Sequence, residues 1–166
     1  MNSKIVISEI PSTQWNRYRE IRLRSLITDP DSFGSNFQRE SDFQEENWLA
    51  EFELNTVFVA TVAEIDVGVM FAEPLEGEFG AQCWIGGCWI DPKYRGRGIM
   101  AKLFEFIDQN LDRYPWNIQG LGVFVDNYPA VTSYLKVGFV PKGDIRESRR
   151  HPGRYYQQMF RASAQQ

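Results

Sequence analysis

The chain has 166 residues, 43% of them apolar and 14% aromatic, which suits one domain over residues 1–166 and excludes a disordered protein. The formal net charge is −4 and no run of about 18 apolar residues occurs, so we expect neither a nucleic-acid nor a membrane partner. Two cysteines and one histidine do not make a convincing zinc site, so no metal is expected. The N-terminal segment lacks the apolar stretch of a signal peptide, which favours a reducing, cytoplasmic setting.

Apolar periodicity divides the first 80 residues into short elements. Alternation from Lys4 to Ile10 predicts a strand that Pro11 ends. Ser12 or Thr13 is suited to cap a helix that closes at Asp29-Pro30. The next predicted elements are a loop over 31–43, a helix over 45–54, a hairpin of strands over 56–63 and 67–72, and a flexible loop over 74–80.

The second half alternates strands with helices. A long strand over 81–90 leads through Pro92 and a glycine-rich turn into a main helix over 99–114. A strand over 118–125 follows, then a helix that Asp126 or Asn127 caps and Gly138 ends. The last predicted elements are a strand from 139, a basic loop over 142–154, a strand over 155–161 and a frayed tail over 162–166.

The long strand contains two glycines and both cysteines. Gly86 and Gly87 inside a strand predict a bulge or a close approach of another backbone. Cys83 and Cys88 have an odd separation, which predicts that they point to opposite faces and form no disulfide.

The turn between this strand and the main helix has the chemistry of an anion site. Backbone N–H groups at a helix N-terminus attract phosphate, and Gly96 and Gly98 leave room for it. Arg95 and Arg97 are suited to add charge-assisted hydrogen bonds. A P-loop is excluded because its Gly-Lys-Ser/Thr string is absent. Residues 96–101 fit the dinucleotide pattern Gly-x-Gly-x-x-Ala, but the strand ends too early and no acidic residue follows at the required spacing.

Arg95-x-x-Gly98, placed after a strand and Asp-Pro-Lys-Tyr, resembles the acyl-CoA signature of the GNAT N-acetyltransferase superfamily. Met100 departs from that signature, which has Gly or Ala at its sixth position. The resemblance implies that acetyl-CoA places its pyrophosphate on the amides from Gly96 to Ala101 and its pantetheine along the end of the strand. The implied cofactor-binding residues are Cys88, Trp89, Ile90, Arg95, Gly96, Arg97, Gly98, Ile99, Met100 and Ala101, together with Asn127 and Tyr134.

A second motif supports the same resemblance. Asn127, Ala130, Tyr134, Gly138 and Phe139 match the GNAT pattern Asn-x-x-Ala-x-x-x-Tyr-x-x-x-Gly-Phe. By this resemblance the hydroxyl of Tyr134 is the catalytic group that protonates the leaving thiolate, and Asn127 contacts the cofactor arm. The implied fold is α/β (α+β): one GNAT-type domain with a mixed, mainly antiparallel, twisted sheet of six to seven strands and about four helices on both faces.

The resemblance implies transfer of an acetyl group to a primary amine of a small molecule or peptide, by direct attack in a ternary complex, with a homodimer as a possible assembly. No general base is assigned. Some relatives have a glutamate where this chain has Gly122, and Glu73, Glu76 and Glu78 are candidates without positional support, while His151 is expected to be exposed. The alternative is a non-catalytic acyl-CoA-binding or sensing module. Residues 1–80 carry 6 basic and 15 acidic residues, against 12 and 7 afterwards, which weakly predicts a cationic acceptor.

Overall fold

The structure, a computed structural model, describes residues 3–164, apart from the side chain of Glu78. Seven strands form one sheet in the order β1-β2-β3-β4-β5-β7-β6. The strands are β1 Ile5–Ile10, β2 Thr56–Val62, β3 Ile65–Pro74, β4 Cys83–Ile90, β5 Ile118–Phe124, β6 Val140–Glu147 and β7 Tyr155–Ala162. The α-helices are α1 Trp15–Thr28, α2 Phe37–Ser41, α3 Glu45–Leu54, α4 Ile99–Asp108 and α5 Tyr128–Lys136. Among the described strands, β4 and β5 pair in parallel and all other neighbours pair antiparallel.

Helices cover both faces of this sheet. On one face α4 and α5 bury Leu103, Phe104 and Tyr134 against β2 to β5 and β7. On the other face α1 and α3 bury Ile21 and Trp48 against β1 to β4. Complete burial of each such side chain stabilises the fold by about 1.5–3 kcal/mol. The predicted α/β class, with a mainly antiparallel sheet between helical layers, is confirmed.

A bulge near the end of β4 sets the direction of the side chains that follow it. The register between β3 and β4 shifts between Val69 and Phe71, and Gly87 has a φ of +57°. Because the bulge adds one residue, Cys88 packs against the same core as Cys83. The prediction that the two cysteines point to opposite faces is therefore wrong, although both are free thiols.

The parallel pairing of β4 with β5 is very short. It includes Cys83 opposite Gln119 and Trp84 opposite Gly120, and the two strands diverge beyond them. The backbone of β4 from 85 to 90 therefore has no partner on the side of β5. A cleft opens at this point of the sheet.

Three segments differ from their sequence-based predictions. The helix α2 lies within the predicted loop, where the side chain of Asn36 caps it. The predicted main helix ends early because the Asn110 side chain donates to the Phe106 carbonyl at 2.7 Å. The first part of the predicted basic loop is the edge strand β6, which is exposed throughout and so shows no apolar alternation.

The predicted frayed tail is wrong for the residues that the structure describes. Ala162 belongs to β7, and the Ser163 hydroxyl donates to the Trp116 carbonyl at 2.9 Å. Residues 165–166 lie outside the described part of the chain.

Candidate active site

The cleft between β4 and β5 has a volume of about 1100 Å³. Strand β4, the start of α4, strand β5 and helix α5 form its walls. Loops after α1 and after β6 lie at its other end. Its lining residues are Asp29, Ser32, Phe33, Gly34, Trp84, Cys88, Trp89, Ile90, Tyr94, Arg95, Gly96, Gly98, Ile99, Met100, Ala101, Gly122, Val123, Phe124, Asn127, Pro129, Ala130, Ser133, Tyr134, Lys136, Val137, Ser148, Arg150 and Tyr156. All the residues of the two sequence motifs that were assigned to a cofactor, except Arg97, therefore border one space.

The glycine turn has the geometry of an anion site. Gly96 and Gly98 both have a φ of +77°, and a Cβ added to either would meet no atom within 4 Å. Gly98 is the N-cap of α4 and offers no side chain to the helix. The first intrahelical hydrogen bond runs from the Lys102 amide to the Gly98 carbonyl, at 3.1 Å. The amides of residues 99–101 consequently lack intrahelical acceptors and face the cleft end of the helix.

The two arginines of this turn have other partners in the structure. Arg95 donates to Asp29 at 2.7 Å and to the Ile90 carbonyl at 2.9 Å. Arg97 donates to the Lys93 carbonyl at 3.3 Å, and its guanidinium lies 4.9 Å from the centre of the Tyr94 ring. To make the predicted phosphate contacts, both arginines would have to leave these partners. In this structure the backbone amides are therefore the groups available to an anion.

Asp29 joins the end of α1 to this turn. Its carboxylate accepts hydrogen bonds from the Trp89 indole at 2.6 Å and from Arg95. Both donors bind the same oxygen, Oδ2, so Asp29 holds the Trp89 indole and the Arg95 guanidinium close together. This role of Asp29 could not be predicted from the sequence, because its partners lie 60 and 66 residues away.

Tyr134 lies at the bottom of the cleft, with only 8% of its surface exposed. Its hydroxyl lies near the thiol of Cys88 on β4, close enough for each group to shift the pKa of the other. Burial raises the pKa of Cys88 to about 12, although the neighbouring Tyr134 hydroxyl opposes that shift. Burial, and then the neighbouring Cys88, raises the pKa of Tyr134 well above its usual value. Both groups therefore stay protonated at neutral pH, and the Tyr134 hydroxyl is a proton donor placed beside a sulfur atom.

Asn127 has two contacts. Its side-chain oxygen accepts from the Ala130 amide at 3.4 Å and so caps α5, as predicted. Its side-chain nitrogen donates to the Ser32 hydroxyl at 3.3 Å, which ties α5 to the loop after α1.

The far end of the cleft is mainly aromatic. Its aromatic lining residues are Phe33, Trp84, Phe124 and Tyr156. Gly122 lies between them and is exposed. Trp84, Gly122 and Tyr156 come together only through the register of β4, β5 and β7. Their shared position was therefore not predicted from the sequence.

Among the described residues that line the cleft, Asp29 is the one carboxylate, and it is already paired. Glu73 is exposed and lies opposite Trp84 in the sheet, outside the lining. Glu76 lies on the loop after β3, and the side chain of Glu78 is outside the described part of the structure. His151 is half-buried rather than exposed, since its Nε2 lies 3.1 Å from the Gly34 carbonyl and its ring contacts Phe124. Of the acidic side chains that the structure describes within the first 80 residues, only that of Asp29 borders the cleft.

The described residues contain no group of three or more side chains suited to hold a metal ion. None of the described helices is long and apolar enough to cross a membrane.

Comparison with known proteins gives one family and many similar folds. The model of the Acetyltransferase (GNAT) family matches residues 15–139. An acetyltransferase of the GNAT family from Streptococcus pneumoniae has 16% identity and a TM-score of 0.76, covering 97% of this chain and 100% of its own. A putative acetyltransferase from Salmonella typhimurium, solved with its cofactor acetyl-CoA, has 14% identity and a TM-score of 0.74, covering 99% and 96%.

The ribosomal-protein-S18-alanine N-acetyltransferase from Escherichia coli has 15% identity and a TM-score of 0.69, covering 98% of this chain and 96% of its own. At these identities the solved structures show a shared fold. Comparison with curated protein sequences gives no significant match.

Proposed function

Because this chain belongs to the GNAT acetyltransferase family, whose model matches residues 15–139, we propose that it transfers an acetyl group from acetyl-CoA to a primary amine of a small molecule or peptide. The observation that carries this proposal is the cleft between β4 and β5. It brings an anion-binding helix start and a buried tyrosine hydroxyl to the same space. One acyl-CoA molecule needs both, since its pyrophosphate and its thioester lie at opposite ends of a long arm.

The residues of the cleft fit acetyl-CoA. The amides of residues 99–101, with Gly96 and Gly98, would hold the pyrophosphate. The unpaired edge of β4 from 85 to 90 would hold the pantetheine amides in the manner of an added strand. Acetyl-CoA supplies the acetyl group as a thioester, whose C–S bond breaks as the acceptor nitrogen forms a C–N bond.

Tyr134 then has a defined task. As the C–S bond breaks, its electron pair stays on the sulfur, and the Tyr134 hydroxyl donates a hydrogen bond and then its proton to that atom. The proton of the acceptor amine leaves through water, since Gly122 carries no base and Asp29 is paired. Neither cysteine is set up as a nucleophile, because burial keeps both thiols protonated, with pKa values raised to about 12.

The test is release of CoA from acetyl-CoA by the purified protein with a panel of primary amines, including peptides with free N-termini. We expect CoA release that depends on the amine, together with an acetylated product of matching amount in mass spectrometry. A non-catalytic sensor would bind CoA in calorimetry and release none from acetyl-CoA with any amine. That result would overturn the proposal.

A further inference from the structure

An aromatic slot surrounds Gly122 at the far end of the cleft. Gly122 is in the middle of β5, yet it is exposed on the face that carries Trp84 and Tyr156. A Cβ placed on Gly122 would lie 3.8 Å from Cδ2 of Tyr156 and 4.0 Å from Cζ2 of Trp84. Trp84 belongs to β4 and Tyr156 to β7, which are the two neighbours of β5 in the sheet. The two rings therefore flank the space above Gly122 from opposite sides.

Packing holds two rings of this slot, those of Trp84 and Phe124, in place. The six-membered ring of Trp84 lies over Gly120, where a Cβ would come within 2.6 Å of it, and it packs edge-on against Phe160. Phe124 closes the end of the slot towards the end of β5. Its ring lies 3.7 Å from the guanidinium of Arg154 and contacts His151. A slot with fixed aromatic walls is complementary to a flat group, since aromatic pairs contribute about 0.5–1.5 kcal/mol beyond their buried area.

The charges around the slot favour a neutral aromatic group over a second cation as the group that it binds. Arg150 lines the cleft, and Arg154 lies on Phe124. Arg154 is paired with Asp126, whereas Arg150 has no hydrogen-bond or ion-pair partner among the described residues. Aromatic rings also attract cations, but a second ammonium group here would face this positive charge.

We propose that the space above Gly122, between Trp84 and Tyr156, binds an aromatic side group of the acceptor, so that aryl-alkyl amines, or peptides whose first side chain is aromatic, are the preferred acceptors. This inference rests on the proposed function and specifies its acceptor. The glycine is then a specificity residue, because any side chain at this position would fill the slot.

The test compares 2-phenylethylamine with hexylamine, 1,4-diaminobutane and ethylamine at saturating acetyl-CoA. We expect kcat/KM for 2-phenylethylamine to exceed that for hexylamine and for the diamine about tenfold or more, within the range that a pocket can discriminate. In Gly122→Ala the added methyl group meets both rings at ordinary contact distance, so the fold survives. Its kcat/KM should fall about tenfold for 2-phenylethylamine and change less than about twofold for ethylamine.

A second variant removes one wall. Tyr156→Leu should lose the preference for the aryl amine. Tyr155→Leu is its matched control, since the neighbouring residue of β7 points to the opposite face and is 47% exposed. An equal fall for both amines in Gly122→Ala, a preference for the diamine, or an unchanged preference in Tyr156→Leu would overturn the slot. CoA release with aliphatic amines alone would contradict only the slot, whereas no release with any amine would contradict the proposed function itself.

Discussion

The proposed pyrophosphate site depends on single glycines at the turn, because a side chain there would obstruct the backbone amides. Gly98 and Gly143 offer a matched pair, since their φ values are +77° and +78° and a Cβ on either would meet open space. Valine at each position should cost a similar free energy of folding, about 1–2 kcal/mol, because both force a side chain into the left-handed region. We expect Gly98→Val alone to weaken CoA binding at least about tenfold in calorimetry, because only this side chain obstructs the anion site. Equal CoA affinity in the two variants would contradict the placement of the pyrophosphate.

The raised pKa of the Tyr134 hydroxyl predicts how the reaction rate depends on pH. Its pKa is raised well above 10 by burial and then by Cys88, so it loses its proton only above that raised value. The rate at saturating acetyl-CoA should therefore rise with pH as the acceptor amine becomes neutral, without a falling limb up to about pH 10. A falling limb below pH 10 that disappears in Tyr134→Phe would show that the tyrosine has an ordinary pKa and would contradict the environment described for it.

At the scale of elements, one buried ion pair joins α1 to α2. Arg22 donates to both carboxylate oxygens of Glu40 at 2.9 Å, and each residue is 7% exposed. The remaining Arg22 nitrogen, Nη1, is buried without a partner among the described residues. Glu40→Gln removes the compensating charge, so we expect it to lower the free energy of unfolding by about 3–5 kcal/mol in urea denaturation.

The exposed pair between Arg113 and Glu9 provides the control for that measurement. Its N–O distance is 3.2 Å and 65% of the Arg113 side chain is exposed. Arg113→Gln should cost less than about 1 kcal/mol. A similar small cost for Glu40→Gln would mean that the Arg22 guanidinium reaches water and that α2 is not held by this pair.

The Phe33 ring lies 5.0 Å from the Arg22 guanidinium, so loss of the pair should also raise the KM for the acceptor.

The elements differ in how far their sequences predict them. Strands β2 to β4 and helix α5 have clear periodicity and caps, so their positions were predicted. The edge strand β6 is exposed on both faces, and only its pairing with β7 identifies it. The direction of the Cys88 side chain depends on a bulge. Gly86 and Gly87 predict that bulge, but they do not determine the residue at which the alternation of side chains between the two faces changes.

At the scale of the molecule, the divergence of β4 from β5 creates the site. The two motifs predict the proposed cofactor end, because their residues lie close together in sequence and belong to the cleft that the divergence opens. The proposed acceptor end is assembled from segments far apart, such as the loop after α1, Trp84 and Tyr156. Sequence periodicity contains no information about such meetings, since they depend on strand register and on the order β4-β5-β7. The ion pair between Arg95 and Asp29 also joins residues that are far apart in the sequence, so periodicity does not predict it.

The measurement that tests this account most directly is the rate of the chemical step in Tyr134→Phe, followed in a single turnover with acetyl-CoA and an accepted amine. The substitution keeps the ring and its packing and removes only the hydroxyl that lies near Cys88. Tyr128→Phe, on the same helix and 73% exposed, is the matched control. We predict a step about 100-fold slower or more for Tyr134→Phe, unchanged CoA affinity, and an unchanged rate for the control. A normal chemical rate in Tyr134→Phe, with the fold intact, would contradict the role of this hydroxyl as the proton donor.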